Sequence, residues 1–94
     1  MRRDPLAVLA RLRSAEVMQA RRHLAEEAVE REAATAQERA ATDALLAEAL
    51  RGGPAHAAWL PRGLAIREAA SGEARLAATR AEEAAAALGV ARAA

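Results

Sequence analysis

The chain has 94 residues, of which 31 are alanine, all 14 basic residues are arginine and one residue, Trp59, is aromatic. Because alanine buries little surface, the apolar fraction of 53% is too poor in large side chains for an ordinary two-layered globular core. The net charge is only +1, and the absence of cysteine excludes disulfides and thiolate metal sites and is consistent with a cytoplasmic protein. Alanine, arginine, glutamate and leucine favour helices, so we predict an all-α protein with one domain.

The first predicted helix covers residues 5–51. Asp4 can accept hydrogen bonds from the first free amides, and Pro5 suits the first helical position because its missing N–H is not needed there. No glycine or proline follows until Gly52. This helix is expected to be about 70 Å long at about 1.5 Å per residue.

The second predicted helix covers residues 61–89, after a turn over residues 52–60. Pro54 and Pro61 could each begin it, and a proline deep inside a helix removes a hydrogen bond, so the sequence favours Pro61 as the start. Gly89 is the expected carboxyl-terminal cap. Two long helices with one tight connection predict a long antiparallel two-helix hairpin, packed as a coiled coil.

Charge along the chain supports this hairpin. Residues 1–24 carry a net charge of +4, residues 25–50 of −5 and residues 51–94 of +2. Folding at the turn places basic residues of the second helix beside the acidic stretch of the first. The basic residues concerned are Arg62, Arg67, Arg75 and Arg80. Each exposed ion pair contributes only a few tenths of a kcal/mol, yet the pattern favours one orientation.

A stripe with alternating spacings of four and three residues marks the predicted contact face. On the second helix it comprises Leu60, Leu64, Arg67, Ser71, Ala74, Ala78, Ala81, Ala85 and Leu88. On the first it comprises Leu24, Ala28, Arg31, Thr35, Glu38, Thr42, Leu45 or Leu46, and Ala49. Leucines lie near the turn and alanines lie in the middle, so we expect the centre of the rod to be weakly held.

The amino-terminal part of the first helix has no predicted partner. A turn centred near residue 55 would place Leu60 opposite Leu50, Leu64 opposite Leu46 and Leu88 near Leu24, which leaves residues 5–20 uncovered. That segment holds the densest cluster of large apolar residues in the chain: Leu6, Val8, Leu9, Leu12, Val17 and Met18. Self-association, docking into a larger assembly, or peripheral contact with a membrane could cover it.

One family resemblance covers most of the chain. Pro5-Leu6, Leu9, Leu12-Arg13, Glu16, Ala20 and Leu24, followed by a charged helix, a turn and Trp59-Leu60, resemble the FliJ family of flagellar type III export proteins. The resemblance implies a cytoplasmic coiled-coil stalk or chaperone escort at the inner-membrane export apparatus. Such stalks engage the hexameric export ATPase, contact the export gate and handle export chaperones, and they are similar in architecture to the coiled coil of the rotary ATP synthase γ subunit.

The same resemblance implies where partners bind. Its possible ATPase-docking end comprises Leu6, Leu9, Leu12, Arg13, Val17 and Leu24, and its tip comprises Trp59 and Leu60. The chain departs from the family in being shorter at its carboxyl end and in lacking aromatic side chains on the shaft near the turn. The shorter carboxyl end concerns the part of the rod that would dock on the ATPase. The missing aromatic side chains concern the part that would contact the gate. Trp59 could instead cap the end of the hairpin.

Other chemistry is not indicated, and we expect no catalysis, cofactor or metal. His23 and His56 lie far apart in sequence, and acidic pairs on an open rod lack the burial that shifts a pKa. No apolar run approaches the length of about 20 residues that spans a bilayer. Two alternatives stay open: a generic helical adaptor or oligomerising module, and a basic protein associated with nucleic acid, which the arginines of residues 2–22 could favour.

Overall fold

The computed structural model describes residues 4–94, which form two long α-helices joined by one residue. Helix α1 spans Pro5–Arg51 and helix α2 spans Gly53–Ala93. They pack side by side in a rod with extents of 81 × 16 × 14 Å. The predicted fold class, an all-α antiparallel hairpin, is therefore confirmed.

Helix α1 begins as the sequence predicts. The Asp4 side chain accepts a hydrogen bond of 3.0 Å from the backbone N–H of Leu6, and Pro5 occupies the first turn. The Asp4 carbonyl then accepts from the N–H of Val8 at 3.1 Å, which is the first helical bond. Local capping chemistry therefore determines this boundary.

The connection is shorter than predicted, so the prediction of a turn over residues 52–60 is wrong. Gly52 (φ 63°) and Gly53 (φ 82°) both adopt positive φ, which glycine tolerates best, and they reverse the chain within two residues. Pro54 lies in the first turn of α2, where a missing N–H leaves no bond unmade.

Helix α2 also runs through both of its expected boundaries. Pro61 lies inside it and cannot donate to the carbonyl of Ala57, but Leu60 and Gly63 on either side of Pro61 are both packed. Tertiary packing therefore outweighs the local penalty. Gly89 is not a cap, and the helix continues to Ala93.

The short connection changes the predicted pairing. Glu27 lies beside Arg80 and Thr42 beside Arg67, so the hairpin is centred near residue 54. Leu88 consequently lies level with residues near 20, and not with Leu24. The predicted pairs of leucines at the turn end are not formed, because Leu46, Leu50 and Leu64 are all exposed, Leu50 by 90%.

The contact between the helices is formed mostly by small residues. The buried residues all belong to α2: Gly63, Ala77, Ala81, Ala84 and Leu88. They face half-buried residues of α1, which recur at the same alternating intervals: Val17, Ala20, Leu24, Glu27, Ala34, Glu38, Ala41, Leu45 and Glu48. Small residues let helix backbones approach closely, but each buries little area.

The predicted stripe is correct in period, but several of its members are exposed. On α2 the members that are buried or half-buried as predicted are Leu60, Ser71, Ala74, Ala78, Ala81 and Leu88, whereas Leu64, Arg67 and Ala85 are exposed. On α1 the exposed members are Ala28, Arg31, Thr35 and Ala49. Gly63, Ala77 and Ala84, each one residue before a predicted member, are more deeply buried than that member. Gly63 is smaller than Leu64, whereas Ala77 and Ala84 differ from Ala78 and Ala85 only in position, so the approach of the two helices decides which row is buried.

Candidate partner-binding surfaces

The amino-terminal end of α1 extends beyond the end of α2. The pairing of Glu27 with Arg80 carries Ala93 to the level of residue 14, so residues 5–13 have no helix beside them. Between Asp4 and Glu16 every residue except Ala7 is exposed. The overhang, residues 5–16, is shorter than the predicted 5–20 because α2 runs past Gly89.

Three leucines of the overhang are the most accessible apolar residues among the predicted partner-binding residues. Leu6 is 75% exposed, and Leu9 and Leu12 are about half exposed. Arg13 beside them is also exposed. Leu9 and Leu12 are three residues apart and Leu9 and Arg13 are four apart, so they adjoin on one side of the helix. The overhang therefore offers an apolar surface with a basic edge.

Val17 and Leu24 do not share this surface. Both are half-buried in the contact with α2, where they lie two turns apart with Ala20 between them. The expectation that they form one docking face with Leu6 and Leu9 is wrong for this hairpin, because α2 already covers them.

The tip of the rod is organised around Trp59. Its indole packs on Gly63, one turn further along α2, and a Cβ at position 63 would overlap the ring. Trp59 and Leu60 are both half-buried. This contact favours the interpretation of Trp59 as a cap for the hairpin end.

The two histidines differ in environment. His23 is exposed on α1. His56 is half-buried in the first turns of α2, and its Nδ1 atom is buried without a hydrogen-bond partner. Within residues 4–94, no three side chains among histidine, aspartate and glutamate gather closely enough to share a metal ion.

Two polar contacts join basic residues of α2 to α1, and both agree with the predicted antiparallel orientation. Arg80 Nε lies 3.4 Å from Glu27 Oε2, and Arg67 Nε donates a hydrogen bond of 3.1 Å to Thr42 Oγ1. Arg62 and Arg75, which were also expected to pair with α1, form no ion pair with the described residues.

A groove follows one side of the contact and was not foreseen from the sequence. It has a volume of about 570 Å³. Its uncharged lining residues are Leu24, Ala28, Thr35, Ala36, Ala81 and Ala85, and its charged lining residues are Arg31, Glu32, Arg39 and Glu82. Leu24, Ala28, Thr35, Ala81 and Ala85 all belong to the stripe assigned to the helix contact itself, so the signal was present in the sequence, but it marks the wall of a groove.

A second groove, of about 390 Å³, lies on the opposite side of the rod. Charged and amide side chains contribute much of its lining: Glu30, Gln37, Glu73 and Arg80. Both grooves therefore combine small uncharged residues with charged side chains, and the first groove is the larger of the two.

Comparisons with known proteins identify no relative. No protein-family model, no curated protein and no solved structure matches the chain. Neither described helix contains a stretch long and apolar enough to cross a membrane.

Proposed function

We propose that this chain is a non-enzymatic coiled-coil hairpin that works by binding other proteins, with the overhang as its main docking surface. The observation that carries the proposal is the exposure of Leu6, Leu9 and Leu12 on a helix that has no neighbour in the hairpin. A row of large apolar side chains on an unpaired helix is typical of a segment that packs into a groove of a partner.

We further propose the export-apparatus role that the resemblance to the FliJ family implies. The partners would then be the hexameric export ATPase, the export gate or the export chaperones, and the chain would act as a stalk or escort. What supports this role is the combination of a long antiparallel hairpin with the apolar and basic residues of the overhang, ending at Arg13. Because Val17 and Leu24 are already covered, the ATPase-docking surface reduces to residues 5–16.

The proposal is tested by measuring binding of the full chain to the purified export ATPase of its source organism, together with the rate of ATP hydrolysis. Replacing Leu6, Leu9 and Leu12 by serine should weaken binding at least about tenfold, because the apolar contact is lost. The matched control replaces three exposed apolar residues of the shaft by serine: Val29, Leu76 and Val90.

We expect the control variant to bind as the natural chain does. Unchanged binding of the overhang variant would overturn the assignment of the docking surface. Failure of the natural chain to bind ATPase, gate or chaperone would overturn the export role and leave the generic helical adaptor as the better proposal. Retention on DNA that falls steeply with salt would instead favour the nucleic-acid alternative.

A further inference from the structure

The side of the hairpin that carries the 570 Å³ groove has a continuous row of uncharged residues beside the helix contact. On α1 the row comprises Ala28, Thr35, Thr42 and Ala49, and on α2 it comprises Leu64, Ser71, Ala78 and Ala85. The corresponding row on the opposite side contains Glu30, Glu73 and Arg80, among others. The row on one flank is therefore uncharged along the shaft, whereas the row on the other flank carries charges. Charged residues do line the groove beside the uncharged row: Arg31, Glu32, Arg39 and Glu82.

This row adds a third uncharged position per seven residues to the stripe, which is one more than the packing of two helices requires. A two-stranded coiled coil requires two apolar positions in seven, whereas a helix in a larger bundle uses three. Both helices here have the third position on the same flank, and Leu46 and Leu64 at its turn end are each more than half exposed. The pattern is that of half a helical bundle.

We propose that this flank binds the same flank of a second copy of the chain, giving an antiparallel four-helix bundle with its two turns at opposite ends. In that arrangement α1 packs on the partner's α1 and α2 on the partner's α2. The two-fold axis lies between the two rods, perpendicular to their length, at the height where residues 35–36 of α1 are level with residues 71–72 of α2.

The charged residues that border this flank are the reason to propose a second copy of the chain as its binding partner. Glu32 and Arg39 border the flank on α1, and Glu68 and Arg75 border it on α2. All four are exposed, and none forms an ion pair with another described residue. Under the proposed axis Glu32 of each copy meets the other copy's Arg39, and Glu68 meets the other copy's Arg75. A single two-fold axis pairs the charges on both helices. The register of the hairpin makes this possible, because it places the midpoint between Glu32 and Arg39 level with the midpoint between Glu68 and Arg75.

Side-chain size favours the antiparallel arrangement over a parallel one. The axis places Leu46 against Ala25 of the other copy and Leu64 against Ala78 and Thr79, so that large residues face small ones. With both turns at the same end, the leucines would instead crowd together and the alanine-rich shaft would be left with a gap.

The inference is independent of the proposed function. The turn of one copy, at residues 52–54, lies level with residues 17–19 of the other copy, so each rod ends before it reaches residue 16 of the other. The overhangs therefore project from opposite ends of the bundle and stay accessible. Substitutions in the overhang test the proposed function, and substitutions on the flank test the bundle.

Sedimentation equilibrium of the full chain over a dilution series provides the measurement, with circular dichroism to verify helicity. We expect a dimer. Ala28→Arg places a charge in the groove and should weaken dimerisation at least about tenfold. Its matched control, Ala33→Arg, changes an equally exposed alanine that lines the opposite groove and should leave the dimer intact.

A charge exchange within α1 tests the geometry. Glu32→Arg alone places an arginine of each copy opposite Arg39 of the other copy. Like charges then face each other at two symmetry-related places, so the variant should weaken dimerisation about tenfold. The double variant Glu32→Arg with Arg39→Glu should restore it, because each new arginine meets a new glutamate. A parallel dimer, in which α1 packs on the other copy's α2, would not be restored.

Three outcomes would overturn the inference. The natural chain could remain a monomer at the highest soluble concentration, in which case another protein's helix is the better occupant of the flank. The overhang serines could dissociate the dimer while Ala28→Arg does not, which would assign self-association to the overhang. The double exchange could fail to restore the dimer, which would exclude the antiparallel bundle.

Discussion

The overhang and the shaft use apolar residues in opposite ways. The overhang has large apolar side chains that are exposed, such as Leu6 and Leu12, whereas the shaft buries mainly alanine, with Ala77 only 1% exposed. Burial in this protein is therefore decided by the presence of a neighbouring helix and hardly at all by the hydrophobicity of the residue. The difference separates residues that hold the hairpin together from residues that are available to partners.

The largest expected effect comes from placing a charge where the shaft admits only a small side chain. Ala84→Glu puts a carboxylate at a position that is 2% exposed and faces α1, so it should reduce the free energy of unfolding by about 3 kcal/mol or more. Thermal unfolding followed by circular dichroism checks this. Ala86→Glu, two residues away on the exposed side, should change stability by less than about 0.5 kcal/mol. Equal effects of the two variants would contradict the assigned contact.

The next effect compares one leucine from each region. Leu88→Ala removes the only large side chain among the buried residues of α2 and should cost about 2–3 kcal/mol of stability. Leu12→Ala removes a side chain that is 55% exposed and should cost less than about 0.5 kcal/mol. Urea unfolding of both variants provides the comparison. A large loss for Leu12→Ala would mean that the overhang is covered in solution.

The smallest effect concerns two glycines of α2. Glycine to alanine inside a helix usually stabilises by about 0.5–1 kcal/mol, and Gly89→Ala should do so because nothing lies near the added methyl group. Gly63→Ala should instead destabilise by about 1 kcal/mol, since the Trp59 indole occupies the space that the new Cβ needs. Melting temperatures of the two variants decide this, and the double variant Trp59→Ala with Gly63→Ala should regain part of the loss.

The site was less predictable than the fold. Exposure of Leu6, Leu9 and Leu12 follows from the mismatch in helix lengths, which the sequence already indicated. The coverage of Val17 depends on where α2 ends, because Val17 lies level with residue 90 and the expected cap at Gly89 would have ended the helix before it. Leu24 lies level with residue 83 and already belonged to the predicted contact stripe, so its assignment to the docking end conflicted with the predicted pairing itself.

The sequence by itself determined that the chain is helical, where α1 begins, that the chain reverses at Gly52 and that the hairpin is antiparallel. Each of these follows from local chemistry or from charge summed over long segments, which does not depend on small shifts in register. Only the tertiary structure decided that α2 runs through Pro61 and which of two adjacent rows faces α1. Ala77 and Ala78 are chemically identical, so the choice between them depends on how closely the backbones approach, and only the packed helices determine that distance.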